Sequence, residues 1–180
     1  DIRDIFLDTI TDILSPKINW LVAPIILGIE RYTFSSATHI NLVSQGFTQY
    51  FEERYSRATF SFFTNGIDKE FLNASPVVLA NPPKKDIINV LYAGNIGEGQ
   101  GLEKILPELS LRLYDWNFKI IGAGGTLHKL QNEIDKRKIK NIKIDPPLSR
   151  KDLIEEYIKS DILFLHLNNH KSFEQVLPSK

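Results

Sequence analysis

Residues 89–106, NVLYAGNIGEGQGLEKIL, and residues 118–125, FKIIGAGG, are two copies of one local plan: an apolar strand, a glycine-rich loop, then the start of a helix. Asn89 to Ala93 and Phe118 to Ile121 are short apolar runs of strand length. The first loop is Gly94-Asn95-Ile96-Gly97-Glu98-Gly99-Gln100-Gly101 and the second is Gly122-Ala123-Gly124-Gly125. Beyond the first loop, apolar residues at 102, 105, 106, 109 and 113 have helical spacing, which predicts a helix over 102–113. A second helix is expected over about 126–138. Strands that alternate with helices of this length predict an α/β fold with a parallel sheet and helices on both faces.

The same rhythm extends in both directions. Toward the carboxyl end, Ile142 to Ile144 is a short strand, Ser149 is the N-cap of a helix over 150–159 with Asp152 in its first turn, and residues 161–167 (DILFLHL) are a strand. Toward the amino end, His39 to Val43 is a buried-strand pattern. Ser44 caps a helix over 47–55, and Thr59 to Phe63 is a strand stopped by Thr64-Asn65-Gly66. Residues 73–87 hold Pro76, Pro82 and Pro83 and few strong elements. They are the expected linker between a first domain at 1–72 and a second at 88–180.

In open parallel sheets ligands bind beyond the carboxyl ends of the strands. Glycine lets a ligand approach the backbone, and the helix that follows presents free N–H groups with a partial positive charge. Two such loops in adjacent units suit a diphosphate, although tight strand-to-helix turns use glycine for their own geometry. Gly-x-Gly-x-x-Gly occurs in neither loop and no acidic residue ends the second strand, which disfavours nicotinamide and flavin enzymes. The phosphate-loop lysine signature is also missing.

Composition narrows the partners. The 180 residues carry 22 Lys plus Arg and 22 Asp plus Glu, so no long-range field favours nucleic acid. With no cysteine, thiolate metal sites and cysteine nucleophiles are excluded. His39 and His166 fall in strand patterns as packing or hydrogen-bonded residues, His128 is on a helix face, and His170 is free to face a cleft. Their separations match no metal-ligand cluster. The chain lacks methionine and begins mid-pattern, as expected of a piece of a longer chain. Residues 18–29, INWLVAPIILGI, are too few to cross a bilayer, which takes about 20. Two readings stand for them: a buried core helix, or a peripheral membrane contact with Trp20, Lys17 and Arg31 at the interface.

Several segments in order, DIRD at 1–4, VSQGF at 43–47, TNGID at 64–68, YAGNIGEGQGLEKIL at 92–106, IIGAGG at 120–125, PPLSRKDLIEEY at 146–157, SDILFLHL at 160–167 and VLPSK at 176–180, span nearly the whole chain. Together they resemble family-4 (group 1) glycosyltransferases of the GT-B fold, and within them the bacterial branch that builds surface polysaccharides such as O-antigen and capsule. The resemblance implies two Rossmann-like domains, both partly covered: the end of an acceptor-side domain, and a donor-side domain truncated at its carboxyl end. It implies that Gly94, Asn95, Gly97, Gln100 and Gly101 meet the donor phosphates, that Gly122 and Gly124 flank the nucleoside, and that Lys180 and Glu174 are catalytic. Most relatives carry an Arg in the first loop and a Lys before its last glycine. Asn95 and Gln100 stand there instead, which shifts the diphosphate toward Lys180 and backbone amides. The second of the family's paired glutamates and its acceptor-side histidine fall outside the chain.

The implied activity is retaining, metal-independent transfer of a hexosyl or N-acetylhexosaminyl-type sugar from a nucleotide-diphosphate donor, a UDP-sugar, to a lipid-linked saccharide. No cofactor and no nucleic-acid partner are expected. The expected location is cytoplasmic, at the inner face of the membrane. A nucleotide-sugar epimerase of the same fold and a non-catalytic nucleotide-sugar-binding subunit remain as alternatives. A receiver-like domain would need an acidic pocket where these loops carry glycine and asparagine.

Overall fold

A computed structural model describes residues 1–73 and 86–178. They divide into two compact units, Asp1–Gly66 with the segment from Asn169 onward, and Ile67–Asn168.

In the first unit α1 (Phe6–Ile13) and α2 (Pro16–Phe34) precede β1 (His39–Leu42), a 3-10 turn at Gln45–Phe47, α3 (Thr48–Arg54) and β2 (Thr59–Phe62). β1 and β2 pair in parallel, His39 opposite Thr59. Ile2 extends the ladder on the other side of β1, its amide donating to the Asn41 carbonyl at 2.8 Å. Ile5, Ile40, Leu42, Phe47, Tyr50, Phe51 and Tyr55 form the core. Glu30 of α2 is buried beside that core and accepts from the hydroxyls of Tyr50 and Tyr55, each at 2.8 Å. Burial, then the bond to the Glu30 carboxylate, raises the pKa of both phenols. His39 bridges the two strands, its Nδ1 2.9 Å from Thr59 Oγ1 and its Nε2 3.0 Å from Ser61 Oγ.

The buried-helix reading of 18–29 needs correcting. α2 is longer than that stretch, and within it only Ile26 is buried, while Trp20, Leu21, Ile25 and Ile29 are exposed. The inward face carries Ile26, Glu30 and Phe34, spaced at i, i+4 and i+8.

The second unit holds α4 (Lys69–Asn73), β3 (Asn89–Ala93), α5 (Leu102–Arg112), β4 (Asn117–Ile121), α6 (Leu127–Arg137), β5 (Ile142–Asp145), α7 (Arg150–Lys159) and β6 (Ile162–Leu163). Its sheet is parallel, in the order β5-β4-β3-β6. Right-handed crossovers that step from β3 to β4 to β5 put α5 and α6 on one face, and the return step to β6 puts α7 on the other. Val90, Tyr92, Phe118 and Ile120 pack with Leu102, Leu106, Leu130 and Ile134 under α5 and α6. On the α7 face Lys119 pairs with Glu156 of α7 and, at 3.5 Å, with Asp145. That hydrogen bond lowers the Glu156 pKa and raises that of Lys119. Ser149 caps α7 as expected, its Oγ accepting from the Asp152 amide at 3.2 Å.

Two boundaries differ from the sequence reading. The first unit ends at Gly66 rather than 72, because α4 joins the second unit: Arg150 of α7 pairs with Asp68 at 3.0 Å, and Phe71 lies against Tyr157. The segment from Asn169 returns to the first unit, where a 3-10 turn at Lys171–Gln175 is held by Ser44 Oγ donating to the Gln175 carbonyl at 2.6 Å. A Cβ on Gly46 would sit 2.5 Å from that carbonyl oxygen, so the glycine makes room for the return. The remainder of the expected linker, 74–85, lies outside the described residues. The expected strand at 161–167 pairs only over Ile162–Leu163, because the residues after it leave the ladder for the first glycine loop.

Candidate functional site

The chain steps from β3 to β4 on one side and returns as β6 on the other, so the second sheet reverses its winding beside β3. Ligands bind at such a switch, beyond the carboxyl ends of the strands. Both glycine loops are there. They continue the β3–β4 ladder past the strands: the Gly94 amide donates to Ile121, and the Ile96 amide to Ala123, each at 2.9 Å. The Gly122 amide donates to Asp145 at 3.1 Å.

This contact accounts for two of the glycines. A Cβ on Gly122 would lie 1.9 Å from the Gly94 carbonyl oxygen, and one on Gly124 would lie 2.3 Å from that of Ile96. Both glycines therefore serve loop-to-loop packing, whatever else they meet. Gly101 has φ 56° and ψ 32°, the left-handed region, and a Cβ there would come 2.9 Å from Asn168 Cγ. Gly125 differs, since an added Cβ would meet nothing within 4 Å.

The packed loops leave donors unspent. Among the described residues the amides of Asn95, Gly99, Ala123, Gly124 and Gly125 have no hydrogen-bond partner, and 123–125 are consecutive and exposed. Successive free amides form a concave anion site. The two adjoining helices start without a side-chain cap: Gly101 has no side chain to offer, and the Thr126 hydroxyl donates to the Ile96 carbonyl at 3.0 Å. The first turn of α5 keeps the Leu102 and Glu103 amides for water or a ligand, whereas in α6 the Leu127 and Lys129 amides donate to the Gly124 and Thr126 carbonyls. α7, away from these loops, has its serine cap.

Side chains set the electrostatics. Gln100 Oε1 accepts from Asn95 Nδ2 at 3.0 Å and from the Gly97 amide at 3.3 Å, so it is committed to holding the loop. Its Nε2, the donor group of the side chain, takes no part in those bonds. Glu98 puts a carboxylate in the first loop, balanced by Lys129 of α6 at 3.2 Å and Lys104 of α5 at 3.8 Å. Glu103, in the first turn of α5, adds a second acidic group whose Oε2 is buried without a hydrogen bond among the described residues.

Three supporting residues were not singled out as site residues from sequence. Tyr92 is fully buried and donates its hydroxyl to the Asn95 carbonyl, which pins the first loop from below. Burial pushes its pKa up to about 12, so it stays a donor at neutral pH. His166 places Nδ1 2.7 Å from the Gln100 carbonyl, which requires the proton on that nitrogen. Asn168 donates its Nδ2 to Glu98 at 3.0 Å and its amide to Gly99 at 2.8 Å. A tyrosine at the end of an apolar run, and a His-x-Asn pair just past a strand facing a glycine loop, were the available signals.

Of the expected site residues, Gly94, Asn95, Gly97, Gln100, Gly101, Gly122 and Gly124 are thus brought together. Glu174 is exposed on the 3-10 turn of the first unit, and Lys180 lies outside the described residues. His170 contacts Phe173 edge-on at 5.4 Å, with its Nε2 buried and without a hydrogen bond among the described residues. No group of three His, Cys, Asp or Glu with metal-site geometry occurs among the described residues.

No family model matches the chain. A putative colanic acid biosynthesis glycosyl transferase, WcaI of Escherichia coli strain K12, is 37% identical over 101 residues, 55% of this chain and 24% of that protein. The chain therefore spans about a quarter of that relative's length. Among solved structures, the lipopolysaccharide outer core galactosyltransferase WaaB, in its apo form, aligns with a TM-score of 0.51 at 22% identity, covering 72% of this chain and 36% of that one. The pneumococcal O-GlcNAc transferase GtfA, in complex with UDP and GlcNAc, aligns with a TM-score of 0.54 at 13% identity, over 73% of this chain and 26% of that one. The chain is thus similar in sequence to a putative glycosyl transferase over part of that protein, and its fold matches GT-B glycosyltransferase structures over the part of them that it spans.

Proposed function

We propose that the protein transfers a sugar from a nucleotide-diphosphate donor, a UDP-sugar, to a lipid-linked saccharide in surface-polysaccharide synthesis, with retention and without a metal. The observation that carries this reading is the pair of packed glycine loops, with consecutive free amides at 123–125 beside two uncapped helix starts. The name of the curated relative supports polysaccharide synthesis, and the UDP and GlcNAc in the GtfA complex support a nucleotide-sugar donor.

In this mechanism the barrier falls as fixed dipoles and a cation take up charge on the departing diphosphate. The amides of 123–125 and the first turn of α5 supply dipoles. Gln100 Nε2 supplies an oriented donor, and Lys180 the cation. Lys104 and Lys129 offset Glu98, so the loop does not repel the anion. The acceptor oxygen bonds to the anomeric carbon as the bond from that carbon to the diphosphate breaks, and the acceptor's hydroxyl proton passes to the departing diphosphate oxygen, so no separate general base is invoked.

UDP release from a panel of UDP-sugars, with a lipid-linked saccharide as acceptor, tests the proposal. Lys180→Ala should lower turnover about a hundredfold or more, the loss typical of removing one charge-stabilising donor. Unchanged turnover would remove Lys180 from the mechanism. UDP binding without transfer from any donor would turn the protein into a binding subunit.

A further inference from the structure

The first glycine loop holds a peptide unit that could face either of two ways. The Gln100 amide donates to the Gly97 carbonyl at 3.0 Å, which closes a β-turn over Gly97, Glu98, Gly99 and Gln100. Its middle peptide joins Glu98 to Gly99. The two common turn types differ in the direction of that peptide, and the second type needs a positive φ at the third residue. Glycine stands third, so the sequence permits both. Gly99 is not among the residues of positive φ, so the peptide has the direction of the first type.

Asn168 holds it there. This buried side chain donates from Nδ2 to the Glu98 carbonyl at 3.0 Å, and its backbone amide donates to the Gly99 carbonyl at 2.8 Å. Among the described residues no peptide bond is cis, so a carbonyl and the N–H that follows it point in opposite directions. Holding the Glu98 carbonyl toward Asn168 therefore turns the Gly99 N–H away from Asn168. That N–H has no partner among the described residues, whereas the Gln100 and Gly101 amides are both spent on the Gly97 carbonyl. Gly101 makes room for the hold, because a Cβ on it would lie 2.9 Å from Asn168 Cγ.

We propose that Asn168 is a positioning residue of the donor site: it fixes the Glu98–Gly99 peptide in one of its two directions and so presents the Gly99 N–H to the donor diphosphate. This role rests on the loop holding the donor as proposed above, and it names the amide of the turn that meets the phosphates and the group that aims it. Asparagine fits the task because its carboxamide donates. A carboxylate of the same size only accepts. It would repel the Glu98 carbonyl and attract the Gly99 N–H, so the peptide would turn over and the ligand would lose that donor.

Nitrogen-15 titrations of the parent, Asn168→Ala and Asn168→Asp with UDP and with uridine test the proposal. Uridine lacks the phosphates and reports on the nucleoside alone. In the parent, UDP should shift the Gly99 amide and uridine should not. Asn168→Ala adds no charge, and its UDP affinity should fall about fivefold, the worth of one hydrogen bond, while uridine affinity stays within about twofold. Asn168→Asp should lose about tenfold or more for UDP, and its Gly99 amide proton should already lie downfield without ligand, as a bond to a carboxylate requires. Should Asn168→Asp fail to fold, Asn168→Ala alone decides. UDP binding by Asn168→Ala as tight as the parent's overturns the proposal, and so do equal losses for UDP and uridine, the mark of a loosened loop. A parent whose Gly99 amide moves with UDP while the variants bind normally removes this proposal alone. A parent in which UDP moves no amide of either glycine loop removes the donor reading and this role together.

Discussion

Replacing Gly122 with alanine puts a methyl group 1.9 Å from the Gly94 carbonyl oxygen and 3.5 Å from Ile96 Cγ1. The near atom is backbone, so no side-chain rotation relieves the clash and the two loops must part. Parting them breaks the hydrogen bonds from Gly94 to Ile121 and from Ile96 to Ala123. At about 1 kcal/mol for each bond lost, the cost is about 2 kcal/mol. For a unit of about 100 residues that corresponds to a fall in melting temperature of about 10 °C. Trp20 and Trp116 report separately on the first and second units, so Trp20→Phe protein followed by fluorescence isolates the transition of the second. Gly125→Ala is the matched control, because nothing lies within 4 Å of its added methyl group. It should melt within about 1 kcal/mol of the parent, and on the stable side if the lost chain freedom dominates. The reasoning is refuted if Gly122→Ala is as stable as Gly125→Ala, because the contact between loops would then not be what requires glycine.

Other perturbations separate positioning from folding. Tyr92→Phe removes the donor to the Asn95 carbonyl and should cost about 1 kcal/mol in a urea melt, with a weaker hold on UDP by calorimetry. Glu30→Ala strands the hydroxyls of Tyr50 and Tyr55 in the core of the first unit and should cost about 3 kcal/mol by denaturant unfolding, at about 1–3 kcal/mol for each orphaned group. Glu30→Gln keeps one acceptor oxygen and should lose roughly half of that.

The glycine-loop units were legible because strand, loop and helix each carry a local signal. β3, β4 and α7 fall within a residue of expectation, and the Ser149 cap was visible as a serine three residues ahead of an aspartate. What sequence spacing could not carry was contact between distant segments. Gly122 and Gly124 read as room for a ligand, whereas the nearest atoms are the carbonyls of another loop. Gln100 read as an orienting donor, and the spacing did not show that its oxygen also accepts from Asn95 and Gly97. β6 is shorter than its apolar run because His166 and Asn168 bond to the first loop, a choice between partners that the run itself does not encode. α2 read as a core helix from hydrophobicity alone. With apolar side chains nearly all round, periodicity does not tell which face packs, and Glu30 supplied the inward polar group that the reading lacked.

Titrating UDP into nitrogen-15-labelled protein and following the backbone amides is the most direct check on the donor site. Saturable shifts should appear at Ala123, Gly124 and Gly125 and along Gly97–Gly101, with little change at β1 and β2. If UDP binds while those amides stay still, and shifts gather elsewhere on the second unit, the glycine loops are not where the diphosphate is held.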